Sequence, residues 1–150
     1  GRSMRKIDLI VIHCSASRAD RDFTETNLEV CYRRRGFNGI GYHFYIRKNG
    51  DIKTTRPIER IGAHAKGFNR TSIGICYEGG LDCHGRPADT RTEWQVHSMH
   101  VLVLTLLRDY PGCRVCGHRD LSPDLNGNGE IEPEEWVKAC PCFDAEEEWA

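Results

Sequence analysis

Short apolar runs alternate with longer amphipathic stretches along this chain, and this alternation restricts the fold more than any other feature. Residues 7–13, 72–77 and 113–117 are short, apolar runs, which is typical of buried strands. Helical patterns lie between them, over residues 24–35 and from Thr92 onward. Strands interleaved with helices indicate an α/β domain, so we expect a central mixed β-sheet flanked by helices.

Capping signals set the expected helix boundaries. Thr24 is a typical N-cap residue, and Gly36 is a typical stop signal. Thr92, with Gln95 three residues later, forms a capping box at the start of the long helix. Pro111-Gly112 is expected to end this helix. The apolar face of this long helix is expected to contain Trp94, Met99, Leu102, Leu106 and Leu107.

One hairpin and a single domain complete the expected architecture. Asn49-Gly50 lies between two strand-like stretches, residues 41–47 and 51–56, and this is the strongest short-range signal for a hairpin. A length of 150 residues suits one domain, residues 1–150, with one core. We expect its ligand site at one edge of the sheet, where the C-terminal ends of the strands emerge.

Charge, hydropathy and cysteine content narrow the classes of partner and compartment. The formal net charge is -1, so a nucleic-acid-binding face is not expected. The longest apolar run is well short of the roughly 20 residues of a membrane span.

The first residues lack the apolar segment of a signal peptide, which predicts cytoplasmic synthesis unless a signal was removed. The eight cysteines are therefore expected to be mostly reduced, with Cys14 and Cys76 as small buried hydrophobic side chains.

Two of the seven histidines stand out because each ends an apolar strand. His13 and His118 occupy these positions, at the edge where α/β sheets place their ligand sites. His84, His97 and His100 have the contexts of ordinary loop and helix residues. Spacing alone does not show that His13 and His118 meet, and a structural role for each stays open. A catalytic zinc site would also need a third protein ligand.

Four further segments follow one another in a recognisable order. They are Ile12-His13-Cys14-Ser15-Ala16, Gly41-Tyr42-His43-Phe44, Gly62-Ala63-His64-Ala65-Lys66-Gly67-Phe68-Asn69 continuing to Ser72-Ile73-Gly74-Ile75, and Lys138-Ala139-Cys140-Pro141 with Phe143-Asp144. Together they resemble the type 2 N-acetylmuramoyl-L-alanine amidases, a family that includes small amidase-type phage lysozymes and the peptidoglycan recognition proteins. The resemblance covers about residues 6–145. It implies zinc-dependent hydrolysis of the amide between N-acetylmuramic acid and L-alanine, in peptidoglycan or muramyl peptides, by a monomer acting on the cell wall.

The resemblance also implies a zinc ligand set. Its ligands correspond to His13, His118 and Cys140, and two imidazoles with one thiolate suit zinc while leaving a fourth tetrahedral position open. Cys142 is the competing ligand, but the Lys-x-Cys-Pro context favours Cys140. The metal is thus expected at the sheet edge that His13 and His118 share.

Catalytic and substrate-binding residues are implied in the same way. Tyr42 corresponds to the family's catalytic tyrosine and Lys138 to its catalytic lysine, which would stabilise an oxyanion. His64 and Asn69 correspond to a loop that faces substrate. Without the resemblance, Tyr42 would be interpreted as a core aromatic and Lys138 as a surface lysine, and a structural role for the loop stays an alternative.

An insertion separates His118 from Cys140 more widely than in the small phage enzymes. Residues 124–135 match the twelve-residue EF-hand calcium loop, with Gly129 at position 6. The predicted ligands are Asp124, Asn126, Asn128, Glu132 and Glu135 through side-chain oxygens, and Glu130 through its backbone carbonyl. Ser122-Pro123 excludes an entering helix, so this would be half an EF-hand. A solvated acidic loop is the alternative to a structural calcium site.

Two other functions compete with the amidase. Some recognition proteins in the family bind peptidoglycan without cutting it, but they have lost the zinc cysteine, which Cys140 provides here. A structural zinc or redox protein built on Cys113-x-x-Cys116 with Cys140 and Cys142 is the second alternative. Cys-x-Cys is an unusual zinc spacing, and no helix start follows Cys116 as in redox motifs.

Overall fold

A five-stranded mixed sheet forms the centre of the protein. The computed structural model describes residues 5–123, 125–129, 131–133, 136 and 138–150. Across the sheet the strands run in the order β4-β3-β5-β1-β7, with only β4 antiparallel to its neighbour. The bounds are β1 Leu9–Cys14, β3 Phe44–Ile46, β4 Ile52–Thr54, β5 Ser72–Tyr77 and β7 Arg114–Gly117; β2 Ser17–Arg18 and β6 Gly80–Leu81 pair separately. The predicted mixed sheet and its hairpin are confirmed.

Three α-helices surround the sheet, and the first two begin where their caps predict. They are α1 Glu25–Arg34, α2 Glu93–Asp109 and α3 Ala145–Glu148. Thr24 accepts a hydrogen bond from the Asn27 amide and Thr92 accepts one from the Gln95 amide, so both helices start with a capping box. The 3₁₀ turns Asn69–Thr71 and His118–Leu121 lie next to strands of the sheet, the first directly before β5 and the second directly after β7.

Alternation along β1 separates two cores on opposite faces of the sheet. Ile10 and Ile12 belong to the larger core, which α2 and the C-terminal segment cover. On the other face α1 contributes Leu28 and Tyr32 to a smaller core. His13 alternates with Ile12 and therefore points away from the larger core. The side chain of His13, although buried, lines a cavity to which Leu28 and Tyr32 of α1 also contribute.

The apolar face of α2 differs from its prediction at one end. Met99, Leu102 and Leu106 are buried as expected, but Trp94 has 62% of its surface exposed. Val103, which the predicted face omitted, is completely buried instead. The helix is rotated so that its first turn contacts the sheet through Gln95, and Trp94 on the neighbouring position turns to solvent.

All eight cysteines lie in the described part of the chain and are free thiols. Cys14 and Cys76 are buried in β1 and β5, as their strand positions predict. Within the described residues, no helix has the length and apolar character needed to cross a bilayer.

Gln95 caps α2 with one hydrogen bond and joins the helix to the sheet with two more. Its side-chain oxygen accepts from the Thr92 amide at 3.0 Å, and its Nε2 donates to the carbonyl oxygens of Ile46 at 3.1 Å and Glu78 at 2.9 Å. The side chain is completely buried. One residue therefore completes the helix cap and fixes the helix against β3 and the end of β5.

We expect Gln95→Met to lower the free energy of unfolding by about 2–3 kcal/mol, because it keeps the side-chain length but leaves buried polar groups unpaired. Urea unfolding followed by circular dichroism measures the change. Trp94→Gln, at the exposed neighbouring position, is the control and should stay within about 0.5 kcal/mol of the parent. Equal stability of the two variants would contradict this role of Gln95.

Candidate active site

Two histidines and one cysteine converge beyond the ends of two central strands. His13 is the next-to-last residue of β1, His118 follows β7 directly, and Cys140 belongs to the C-terminal segment. One donor atom from each lies within 4.8 Å of the other two. The two imidazole centroids are 4.6 Å apart. Among the described residues, this is the only group of three such side chains close enough to hold one metal ion.

Strand pairing brings the two histidines together. β1 and β7 are parallel neighbours, and Ile12 lies opposite Gly117. The next residue of each chain segment is therefore His13 on one side and His118 on the other. Gly117 also permits close packing, because a Cβ at this position would lie 2.6 Å from Cδ of Pro141.

Backbone contacts dock the C-terminal segment beside the histidines. The Arg119 amide donates to the carbonyl oxygen of Cys140 at 2.8 Å. The Cys14 amide donates to Sγ of Cys140 at 3.1 Å, and the Tyr77 hydroxyl donates to the carbonyl oxygen of Pro141 at 2.6 Å. These bonds connect the segment to the residues beside both histidines, so the position of the thiol is defined from two strands.

Cys142 faces a different direction from Cys140. Its Sγ lies 3.4 Å from the carbonyl oxygen of Gly80. Hydrogen bonding with Cys14, followed by burial, raises the pKa of the Cys142 thiol. The structure thus brings Cys140, and not Cys142, together with His13 and His118. Cys116 lies on β7 and Cys113 directly before it, away from Cys140 and Cys142, so the four-cysteine alternative has no corresponding cluster among the described residues.

The local electrostatics keep both imidazoles neutral. Burial, reinforced by His64, His118 and Lys138, holds the pKa of His13 well below its usual range. Burial and then the Lys138 ammonium lower the pKa of His118. At neutral pH each ring therefore has a lone pair on one nitrogen, which metal ligation requires.

The cluster lies in the wall of a cavity of about 560 Å³. Arg35, Lys66 and Lys138 line this cavity, and no aspartate or glutamate is among the described residues that line it. The chain as a whole has a net charge of -1, so the positive character belongs to the cavity and not to the protein surface in general. A smaller cavity of about 130 Å³ adjoins it and shares Lys66, His118 and Lys138 with it.

Tyr42 stands directly against the cluster. Its ring centroid is 4.9 Å from that of His13, and Tyr32 packs on its other side at 5.5 Å. Burial raises the pKa of Tyr42 well above its usual range, with Cys76 the next cause. The hydroxyl therefore keeps its proton at neutral pH, and the Tyr42 side chain lines the cavity.

His64 and Asn69 both line the cavity, but each also has a partner within the protein. His64 Nδ1 lies 2.9 Å from His13 Nε2. The Asn69 side-chain oxygen accepts from the amides of His64 and Ala65, each at 2.9 Å. The substrate-binding role predicted for this pair stays a prediction, and the structure adds a contact between His64 and the metal-ligand candidate His13.

Arg35 is a cavity residue that the sequence patterns did not single out. Its guanidinium carbon lies 5.3 Å from the ring centroids of both Tyr32 and Phe37, so two aromatic faces hold the cation at the cavity wall. The available signal was the run of three arginines at the end of α1. Nothing in that run distinguished Arg35 from its neighbours without the tertiary contacts.

The insertion is described only in part. Asp124, Glu130 and Glu135, three of the six predicted calcium ligands, lie outside the described residues. Of the others, Asn126 donates to Glu132 at 2.8 Å and Asn128 donates to the same carboxylate oxygen. Gly129 has a φ of 85°, a left-handed conformation that favours glycine at this turn.

Comparison with known proteins agrees with this geometry. The sequence profile described as N-acetylmuramoyl-L-alanine amidase matches residues 3–141. An uncharacterized protein of Haemophilus influenzae is 49% identical over 96 residues, which cover 64% of this chain and 83% of that protein. The endolysin of Klebsiella phage KP32 is 33% identical over 140 residues, covering 93% of this chain and 83% of the endolysin.

A solved structure extends the similarity to the fold. N-acetylmuramoyl-L-alanine amidase LysC from Clostridium intestinale URNW superposes with a TM-score of 0.72 at 28% identity, covering 97% of this chain and 83% of that one. The profile spans both histidines and Cys140, and the endolysin match extends over most of the chain. This chain belongs to the N-acetylmuramoyl-L-alanine amidase family.

Proposed function

We propose that this protein hydrolyses the amide bond between N-acetylmuramic acid and L-alanine in peptidoglycan or its fragments. The observation that carries the proposal is the His13, His118 and Cys140 cluster in the wall of a cationic cavity, in a chain of the amidase family. We also propose that the enzyme is synthesised in the cytoplasm, acts on the cell wall and is a monomer.

The donor set fits zinc. Tetrahedral zinc holds nitrogen and sulfur ligands at about 2.0–2.3 Å, which puts the donor atoms about 3.4–3.8 Å from one another. The donor atoms here lie within 4.8 Å, so small side-chain adjustments reach that geometry. The neutral imidazoles provide lone pairs, and three ligands leave a fourth position toward the cavity. We therefore assign His13, His118 and Cys140 as the proposed zinc ligands.

Tyr42 and Lys138 supply the remaining chemistry in this proposal. Bound zinc provides a Lewis acid with an open position and makes water a competent nucleophile at neutral pH. Lys138, on the wall of both cavities, places an ammonium group where negative charge develops on the carbonyl oxygen. The Tyr42 hydroxyl, which retains its proton, donates a hydrogen bond that orients the reacting oxygen or transfers a proton.

The charge of the cavity favours an acidic substrate. The peptide stems of peptidoglycan carry free carboxylates, and the described residues that line the cavity include three cationic side chains and no acidic one. Arg35, whose guanidinium contacts two aromatic rings, presents a planar donor set suited to a carboxylate. This supports a muramyl peptide over a neutral amide as the substrate.

A non-catalytic peptidoglycan-binding module is the second candidate function. Such a module needs the cavity but neither the thiol nor the tyrosine hydroxyl. Both Cys140 and Tyr42 are present and adjacent to His13, which favours the enzyme. Release of L-alanine-terminated peptide from a muramyl peptide distinguishes the two functions, whereas zinc binding alone does not.

The insertion at residues 124–135 is proposed as a structural calcium site. Support comes from the side chains of Asn126, Asn128 and Glu132, which converge on one another, and from the left-handed Gly129. A half-turn of either amide exchanges its nitrogen and oxygen, so oxygens can replace the present donors around an ion. Glu135, at position 12, precedes Lys138 by three residues. Calcium would therefore order the arm that carries the catalytic lysine and Cys140.

We expect His13→Ala and Cys140→Ala to lose both stoichiometric zinc and turnover, because each removes one of only three protein ligands. Zinc is measured by elemental analysis after gel filtration, and turnover by peptide release from a muramyl peptide. Cys142→Ala, a cysteine two residues away with a different orientation, is the matched control and should retain both. Retention of zinc and activity by Cys140→Ala, with loss of both by Cys142→Ala, would reverse the assignment.

Tyr42→Phe and Lys138→Ala are each expected to lower kcat about 10²- to 10³-fold while changing KM little, because both groups act on charge or protons that develop in the transition state. Zinc content is measured in parallel and should be unchanged. A change confined to KM would assign the residue to substrate binding and not to catalysis.

Asp124→Ala combined with Glu135→Gln is expected to lower the melting temperature in calcium and to reduce amidase activity in zinc-replete buffer. An ion bound only by the folded protein stabilises it by about 2.7 kcal/mol at a hundredfold excess over Kd. Glu134→Gln changes a neighbouring acidic residue outside the ligand positions and serves as the control. Unchanged melting and activity in the double variant would leave the insertion without a structural calcium site.

A further inference from the structure

The His64 ring lies directly behind His13 and contacts it through nitrogen. His64 Nδ1 is 2.9 Å from His13 Nε2, and His64 Nε2 is 3.3 Å from the Ser72 hydroxyl. All three side chains are buried. The contact therefore forms a short row of polar groups in the protein interior, beginning at a proposed zinc ligand and ending at the first residue of β5.

Two glycines create the space for this ring. A Cβ at Gly74, in the middle of β5, would lie 2.7 Å from Cγ of His64, and a Cβ at Gly62 would lie 2.7 Å from Cδ2 of the same ring. The loop that carries His64 is fixed as well, because the side-chain oxygen of Asn69 accepts hydrogen bonds from the backbone amides of His64 and Ala65. The ring is thus restrained by packing and by backbone hydrogen bonds, independently of any metal.

Two proton positions are compatible with the hydrogen bond between His13 and His64. A neutral imidazole has one N–H, so only one of the two facing nitrogens carries a proton. If His13 Nε2–H donates to His64, then His13 Nδ1 retains its lone pair, and His64 Nε2–H donates to Ser72. If His64 donates instead, His13 carries its proton on Nδ1 and that nitrogen is unavailable to a metal.

The position of Cys140 identifies the nitrogen of His13 that faces the cluster. His13 Nε2 is occupied by His64. Sγ of Cys140 lies 3.1 Å from the backbone nitrogen of Cys14, next to the main chain of His13, and Nδ1 is the ring nitrogen nearer to that main chain. With Nε2 occupied, Nδ1 is the nitrogen that remains for a metal shared with Cys140, so ligation requires the first of the two arrangements.

We propose that His64 is a positioning residue that accepts the Nε2 proton of His13, and so directs the Nδ1 lone pair of His13 to the metal. The inference rests on the proposed metal centre and gives His64 a role different from substrate contact. A ligating histidine commonly donates its second nitrogen to an oxygen acceptor, and removal of that acceptor lowers metal affinity about 10- to 100-fold. Here an imidazole nitrogen takes the place of the oxygen.

The test compares zinc affinity in two substitutions of the same residue. His64→Leu removes the acceptor, whereas His64→Asn places an amide oxygen near the position of Nδ1. We expect the Kd for zinc, measured by competition with a chromophoric chelator, to rise about 10- to 100-fold in His64→Leu. In His64→Asn the Kd for zinc should be within a few-fold of the parental value. A general loss of packing would not produce this rescue.

His43→Leu is the matched control for packing. The His43 side chain is equally buried, its centroid is 5.9 Å from that of His64, and its nitrogens bond to the backbone of Gly74 and Arg60. We expect this variant to melt at a lower temperature while its folded form keeps the parental Kd. Kd values are compared at a temperature where every variant is folded.

Long-range ¹H–¹⁵N correlation spectra of the unsubstituted protein provide a second readout that needs no variant. The expected spectrum shows His13 protonated on Nε2 and, with zinc, a shift of its Nδ1 resonance. A proton on Nδ1 with zinc at Nε2, or equal zinc affinities of parent and His64→Leu, would overturn the inference while leaving the amidase proposal intact. Absence of zinc binding by the parent protein would overturn both, and neither measurement depends on activity.

Discussion

The parallel pairing of β1 with β7 is the constraint on which the site depends. The opposition of Ile12 and Gly117 places His13, on β1, and His118, directly after β7, at the same level of the sheet. A slip of one residue in β1 would turn His13 to the opposite face of the sheet, because side chains alternate along a strand. All six residues of β1 are buried, so apolar contacts hold the strand on both faces. Its pairing with β5 and β7 on either side fixes the level at which His13 lies.

The third member of the cluster depends on a different kind of contact. Cys140 is placed by hydrogen bonds from Arg119 and Cys14, and its neighbour Pro141 is held by Tyr77. These bonds belong to the docked segment and do not involve residues 124–135. A segment that docks by its own contacts tolerates a longer connection, since lengthening a loop adds little to the entropy of closing it. This explains how the insertion is compatible with an intact cluster.

The cavity combines two properties that the bulk composition conceals. In this nearly neutral chain, the described residues that line the cavity include three cations and no carboxylate, because the fold segregates charge. Closely packed rings lie beside the same cavity: His13 contacts Tyr42, His64 and His118 at once. Such packing leaves little freedom to any one ring, so proton positions within the group depend on one another.

The sequence by itself determined the five strands of the central sheet, the two capped helices and the hairpin, and its resemblance to a known family supplied the residues of the His13, His118 and Cys140 cluster. Caps and turns depend on residues within four positions of one another, and strand burial depends on local apolar character, so these features need no knowledge of the remaining chain. Only the tertiary structure decided that Trp94 turns to solvent, that Arg35 contacts two aromatic rings and that Cys142 points away from His13. It also decided that His64 contacts His13, although the two residues are 51 positions apart. Each of these outcomes depends on how separate elements pack against one another, and local propensity carries no information about such contacts.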